Sequence, residues 1–206
     1  KNTYSYLFNL LTEQSDALVQ AVIQALEVLG FKDIKDVDKE IEKQNPQNRR
    51  REDLQIHDGE IKLIVEIKGI NGFPSDEDIL AVQKYVPLRM REWDYTQIQG
   101  LTIINHQKHI PPLNRDNDLP FRKEMLEVTE EQNIGLLTTW DLHHLVRSFI
   151  HNEWKHENIK DLFYKVGRVN ILPNHYEFIG KIERFIENKS ILGIKIEASN
   201  LRLGDR

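Results

Sequence analysis

The sequence predicts an α/β fold: a mixed central sheet with one β-hairpin, flanked by helices and followed by a small C-terminal β annex. Three observations predict it. Amphipathic helical stretches alternate with short apolar strands through most of the chain, which is typical of an α/β layer structure. Residues 53–69 have the alternation and the central turn of a hairpin. From about residue 168 the pattern changes to short strand-like runs.

Composition narrows the class of protein. The 206 residues suit one main domain with an annex, and the absence of cysteine excludes disulfides, thiolate zinc sites and cysteine nucleophiles. No apolar stretch approaches the roughly 18 residues of a membrane helix, and no signal segment opens the chain, so we expect a cytoplasmic protein with no membrane partner. The net charge of -5 disfavours nonspecific coating of nucleic acid. Contact with nucleic acid would therefore require a local basic patch or bridging metal ions.

The first strong helix is predicted over residues 15–31. Gly30 follows the last apolar residue, where a left-handed C-cap is least costly. The helical spacing of its apolar stripe comes from Leu18, Val22, Leu26 and Leu29. The later elements are, in order, a helix over 76–91 that ends in the Pro87–Arg91 region, a strand over 100–105, a helix over 121–132, a strand over 134–139 and a helix over 140–150.

The hairpin lies at residues 53–69, DLQIHDGEIKLIVEIKG. Asp58–Gly59 between two alternating runs predicts a two-residue type I′ turn, which would place Leu54 opposite Leu63. Because side chains alternate along a strand, one face is entirely apolar and consists of Leu54, Ile56, Ile61, Leu63, Val65 and Ile67. The other face consists of Asp53, Gln55, His57, Glu60, Lys62, Ile64, Glu66 and Lys68.

The second face carries the candidate chemistry. In the predicted register Asp53 lies diagonal to Glu66, about 7–8 Å away by backbone position and closer at the carboxylates, so one divalent cation could bridge them. Lys68 projects from the same side, two residues beyond Glu66. Two acids and an amine suit metal-assisted phosphodiester hydrolysis, since the acids hold Mg²⁺ and the lysine orients water and offsets phosphoryl charge.

A ribbon with one apolar and one charged face is also ordinary half-exposed sheet. Two features favour the catalytic interpretation. Ile64 lies in the middle of the polar face and indicates that part of this face is covered. The turn also brings Asp53 beside Glu66 without any adjustment of the register.

The pattern Asp53, then Glu66–Ile67–Lys68, after a helix that ends in LGF, resembles the PD-(D/E)XK nuclease superfamily. The likeness is greatest to its Mrr-like and Holliday-junction-resolvase-like members, and it covers about residues 7–150. TIINHQKHIPP and IGLLTTWDL further resemble the later strands of restriction-endonuclease-like domains. The resemblance implies a restriction-endonuclease-like core.

That resemblance also implies roles for individual residues. Asp53 and Glu66 would bind Mg²⁺ or Mn²⁺, the carbonyl of Ile67 would add a ligand, and Lys68 would be the catalytic lysine. One departure concerns the first helix: the position where relatives often carry a metal-linked glutamate falls at Val19 or Gln20. This argues against a second metal site.

The basic run Arg49–Arg50–Arg51 precedes Asp53 and predicts a contact with the phosphate backbone, although such runs are more often solvated loops. The function we expect is metal-dependent hydrolysis of nucleic acid, with DNA as the partner. The competing hypothesis is a non-catalytic nuclease-fold module that binds nucleic acid or a partner protein within a larger defence or ATPase-linked protein.

Three segments are predicted along the chain: a nuclease-like domain over 1–152, a connecting helix over 153–167 and the annex over 168–206. The annex resembles the start of the β-barrel in the second domain of translation GTPases, through its Ile-Gly-Lys-Ile opening at 179–182 and its closing Gly204–Asp205. The chain begins at Lys1 rather than at Met, so we expect a partial chain. Its further partners would be additional domains or a homodimer.

Overall fold

The structure is a computed structural model that describes residues 5–44, 51–173, 176, 179–187 and 191–197. The helices in these ranges are α1 (Ser5–Thr12), α2 (Ser15–Val28), α3 (Val37–Gln44), α4 (Asp76–Leu80), α5 (Val86–Trp93), α6 (Lys123–Glu131), α7 (Thr139–His151) and α8 (His156–Ile159). The strands are β1 (Ile34–Asp36), β2 (Leu54–Ile56), β3 (Lys62–Gly69), β4 (Ile98–Asn105), β5 (Ile134–Thr138), β6 (Gly167–Arg168), β7 (Gly180–Ile186) and β8 (Ile191–Ile196). Short 3₁₀ turns occupy Ala81–Lys84, Pro112–Asn114 and Lys160–Tyr164.

The first six strands form one sheet in chain order. β2 pairs antiparallel with both β1 and β3, whereas the β3–β4, β4–β5 and β5–β6 pairs are parallel. The predicted α/β class, with a mixed sheet that contains a hairpin, is therefore confirmed. β3 lies between its antiparallel and its parallel neighbour, so its backbone is held on both sides.

Helices cover both faces of this sheet. Side chains of α1, α2 and α7 pack on one face, where Leu63, Val65 and Ile67 of β3 point. Side chains of α4, α5 and α6 pack on the other face, around Ile64. Ile64 is 0% exposed, which confirms the expectation that part of the polar face of the hairpin is covered.

Most predicted elements are confirmed, but the helix predicted over 76–91 is interrupted. The helix expected over 15–31 is α2, followed by Gly30 at φ 98°. The strands and helices expected over 100–105, 121–132, 134–139 and 140–150 are β4, α6, β5 and α7. The single helix expected over 76–91 is instead α4, a 3₁₀ turn and α5. Pro87 lies in the first turn of α5, where its missing N–H is tolerated, but it could not continue an earlier helix.

The predicted two-residue turn of the hairpin is wrong. Leu54 pairs with Val65 rather than with Leu63, so residues 57–61 form a longer connection. The physical reason is that Asp58 makes other contacts instead of forming the tight turn. Its carboxylate accepts hydrogen bonds from the backbone N–H groups of Lys32, at 2.9 Å, and Asp33, at 3.2 Å. Because the register moves by two residues, the paired side chains of β2 and β3 keep their predicted faces.

We expect Asp58→Ala to lower the free energy of unfolding by about 1–2 kcal/mol, because two backbone donors lose their shared acceptor as at an uncapped helix end. Urea unfolding followed by circular dichroism measures the change. Glu60→Ala in the same connection is the control, with an expected effect within about 0.5 kcal/mol. Equal stability of the Asp58 variant and the wild type would contradict this role.

The contacts divide the chain into two units, residues 1–172 and 173–206. In the second unit β7 and β8 form an antiparallel pair with an irregularity between Ile182 and Arg184, which confirms a small β annex. The predicted limits at 152, 167 and 168 stay predictions, and Gly204–Asp205 lies outside the described residues. Within the described ranges no helix combines the length and the apolar character needed to cross a membrane.

Candidate active site

Asp53 lies immediately before β2 and is tied to β3 by its side chain. Its Oδ2 accepts a hydrogen bond of 2.6 Å from the backbone N–H of Ile67. Asp53 precedes Leu54, which pairs with Val65 rather than with Leu63 as predicted, and the backbone N–H of Asp53 donates to the carbonyl of Val65 at 3.1 Å. The corrected register therefore brings Asp53 and Glu66 closer along the strands than the predicted register does.

The surroundings of Asp53 favour its protonated form. Burial of the carboxyl and the nearby charge of Glu66 raise the pKa of Asp53 from 3.8 to about 7, although the hydrogen bond from Ile67 acts in the opposite direction. The charge of Asp38 raises this pKa further. At neutral pH the carboxyl of Asp53 is therefore only partly ionised, and an approaching positive charge would favour loss of its proton.

Glu66 and Lys68 lie two residues apart on β3, so their side chains leave the same face. Lys68 Nζ lies 2.7 Å from Glu66 Oε1. Burial alone would lower the pKa of Lys68, but the hydrogen bond and charge of Glu66, with the charge of Asp53, raise it above its ordinary value. Lys68 is therefore a fixed cation beside the two acids.

The second oxygen of Glu66 shows that the site suits a cation. Glu66 is 6% exposed, and its Oε2 is buried with no hydrogen-bond partner among the described residues. A buried acceptor without a partner is costly, and a divalent cation would satisfy it. Asp53, Glu66 and the carbonyl of Ile67 together offer the hard oxygen donors that Mg²⁺ prefers. The residues present therefore fit the metal that the resemblance implies.

The set of acids is small. Over the described ranges, no group of three or more His, Cys, Asp or Glu side chains could hold a metal ion by itself. A site of two carboxylates and one carbonyl is nevertheless typical of Mg²⁺, which keeps several waters. The structure thus brings together Asp53, Glu66 and Lys68, named from the sequence, while their chemical roles stay predictions.

The basic run is only partly described. Arg49 and Arg50 lie outside the described residues. Arg51 Nη1 donates to both carboxylate oxygens of Glu92 on α5, at 2.8 and 2.9 Å. Its guanidinium is thus engaged by an acid of the same chain, and its contact with nucleic acid stays a prediction.

The sequence analysis did not identify two charged residues near this part of the fold, Asp38 and Lys108. Asp38, whose charge acts on Asp53, lines a small pocket of about 20 Å³ with Asp53 and Gln20 of α2. Lys108 follows β4, and its Nζ donates to the carbonyl of Gly69, at 3.1 Å, and to the side chain of Gln14. No pattern in the sequence could have found them, because both reach the site through pairing between distant segments.

Comparisons with known proteins find similarity among solved structures. No protein-family model matches the sequence, and no curated protein matches it. Among solved structures the chain is similar to the restriction endonuclease FokI, with a TM-score of 0.49 and 15% sequence identity. The match covers 82% of this chain and 31% of that chain, so this chain spans about a third of FokI.

Proposed function

We propose that this chain is a metal-dependent nuclease that hydrolyses phosphodiester bonds, with DNA as its substrate. The observation that carries the proposal is the convergence of Asp53, Glu66 and Lys68 around a buried carboxylate oxygen without a partner. An acid pair and a fixed cation at one end of a covered strand suit the binding of a phosphate through a metal ion.

Each group has a defined role in this proposal. Asp53, Glu66 and the carbonyl of Ile67 would hold Mg²⁺ or Mn²⁺. When bound, the metal would polarise the phosphoryl oxygens and acidify a coordinated water. Lys68 would orient the attacking water and offset the charge that grows on the phosphoryl oxygens. Water would form the new P–O bond as the bond to the leaving oxygen breaks, and solvent would supply the proton to that oxygen.

The charge of the chain limits how it would contact DNA. A chain with a net charge of -5 needs local cations to meet a phosphate backbone. Lys108 supports this, because its amine lies at the end of β3 and donates to two neutral oxygen acceptors. A homodimer or additional domains of a longer chain would supply further contacts with DNA.

Plasmid cleavage tests the proposal. We expect the protein to nick supercoiled plasmid with Mg²⁺ or Mn²⁺ and not with EDTA, as measured by agarose gel electrophoresis. Glu66→Gln should lower the rate at least about a hundredfold, because the metal loses one of its two carboxylates. Glu60→Gln, in the exposed connection between β2 and β3, is the matched control. Nicking that persists in EDTA would refute the proposal.

A binding module without catalysis is the second candidate. The observation that favours it is on α2, where the position at which members of the resembled superfamily often carry glutamate falls at Val19 or Gln20. The amide of Gln20 donates to Asp36 Oδ2 at 2.8 Å, so it supplies no acid to the site. Isothermal titration with Mn²⁺ separates the candidates, since a binding-only module would give no saturable heat.

A further inference from the structure

The chain just before Asp53 is held by charged side chains of α5. Arg89 Nε donates to Glu52 Oε1 at 2.7 Å, and Arg89 Nη1 donates to Glu92 Oε2 at 2.6 Å. Glu92 in turn accepts from Arg51. Two successive residues, Arg51 and Glu52, are thus linked to one helix immediately before the carboxyl of the proposed site.

A second contact extends this arrangement past Asp53. The side-chain amide of Gln55 donates to the same Glu52 Oε1 at 2.7 Å. Glu52 therefore joins the residues on both sides of Asp53 to Arg89. The side chain of Asp53 is held independently from β3, through the N–H of Ile67. The backbone of Asp53 is also hydrogen-bonded on both sides: its N–H donates to the carbonyl of Val65 at 3.1 Å, and its carbonyl accepts from the N–H of Val37 at 3.0 Å.

Stability does not explain the Glu52–Arg89 pair well. Glu52 is 0% exposed and Arg89 is 8% exposed, so both charges are taken out of water. Glu52 Oε2 is buried and has no hydrogen-bond partner among the described residues. Two well-packed apolar side chains are often as stabilising as a buried ion pair. An ion pair that is costly and incompletely satisfied points to a need for fixed geometry.

We propose that Glu52 and Arg89 are positioning residues of the metal site, which keep Asp53 aligned with Ile67 and Glu66. This inference rests on the proposed function. Arg89 acts from α5 through Glu52, and neither side chain touches the metal or the substrate. Without the pair, the segment before Asp53 would lose its tie to α5 and keep only its hydrogen bonds with Val65 and Val37, and the Asp53 carboxylate would sample positions away from Glu66.

The test replaces the pair by apolar side chains of similar length, in the double variant Glu52→Met/Arg89→Met. Two readouts are measured: Mn²⁺ affinity by isothermal titration, and exchange of the Ile67 amide proton by NMR in EDTA. We expect Mn²⁺ to bind about tenfold more weakly and the Ile67 amide to exchange about tenfold faster. The thermal midpoint should change by less than about 3 °C.

The matched control is Lys123→Met/Glu127→Met, which removes an exposed ion pair of α6 and should change neither readout. If the double variant does not fold, Glu52→Gln keeps the shape of the side chain and should show the same changes at about threefold. Unchanged Ile67 exchange together with unchanged Mn²⁺ affinity would overturn the inference. Faster Ile67 exchange in a protein whose wild type binds no Mn²⁺ would support the positioning role and refute the metal site.

Discussion

Lys68→Ala is expected to lower metal-dependent plasmid nicking by about a thousandfold, because a positioned cation and a water-orienting group are lost together. Mn²⁺ affinity should be retained, since the metal would be held by Asp53, Glu66 and the carbonyl of Ile67. Single-turnover cleavage of plasmid and isothermal titration with Mn²⁺ measure the two effects. Loss of the rate with retention of binding would assign Lys68 to the chemistry rather than to the metal.

Two further variants sharpen that result. Lys68→Arg keeps the charge but not the compact amine, so we expect only a small part of the rate to return. Lys160→Ala removes an exposed lysine from the 3₁₀ turn Lys160–Tyr164 and serves as the control for net charge. Equal rates of nicking by the wild type and Lys68→Ala would contradict the proposed mechanism, because Lys68 would then take no part in it.

Asp53→Asn is expected to stabilise the metal-free protein at pH 8, by about 2 kcal/mol. The pKa of Asp53 is about 7 in the folded chain, against 3.8 for an unperturbed group. Between these two values the folded state binds the proton more tightly than the unfolded state, so stability falls as pH rises through this window. The asparagine cannot ionise, and its variant should lose that part of the pH dependence.

Urea unfolding in EDTA at pH 5 and pH 8 measures this difference, with Asp161→Asn as the control at an exposed acid. Asp53→Asn should also abolish Mn²⁺ binding. In the wild type, Mn²⁺ affinity should rise about tenfold for each pH unit below about 7, because the metal must displace the proton of Asp53. If Asp53→Asn were less stable than the wild type at pH 8, ionisation of the buried Asp53 carboxyl would not destabilise the folded protein.

The hairpin shows how far sequence reasoning extends. The period of two along β3 is enough to put Glu66 and Lys68 on one face, and Ile64 within that face indicates its burial. The same reasoning misses the register, because an Asp-Gly pair favours a tight turn only when the aspartate is free to form it. Asp58 instead accepts hydrogen bonds from Lys32 and Asp33, about 25 residues earlier in the chain.

The helices give the same lesson. The apolar stripe of α2 depends only on the spacing of apolar residues within the helix, and the structure confirms it. The break between α4 and α5 lies just before Pro87, which the sequence shows, and Ile79 and Val82 of this stretch are packed in one cluster with Ile64, which the sequence does not show. Where neighbouring segments decide the conformation, local propensity is a weak guide.

The sequence by itself determined the α/β class, the faces of the hairpin and the candidates Asp53, Glu66 and Lys68, since all of these depend on spacing within short segments. Only the tertiary structure decided the alignment of Asp53 with Glu66, the raised pKa of Asp53 and the tie from Glu52 to Arg89. These depend on burial and on contacts between residues far apart in the chain. Desolvation and register arise only when those segments pack together.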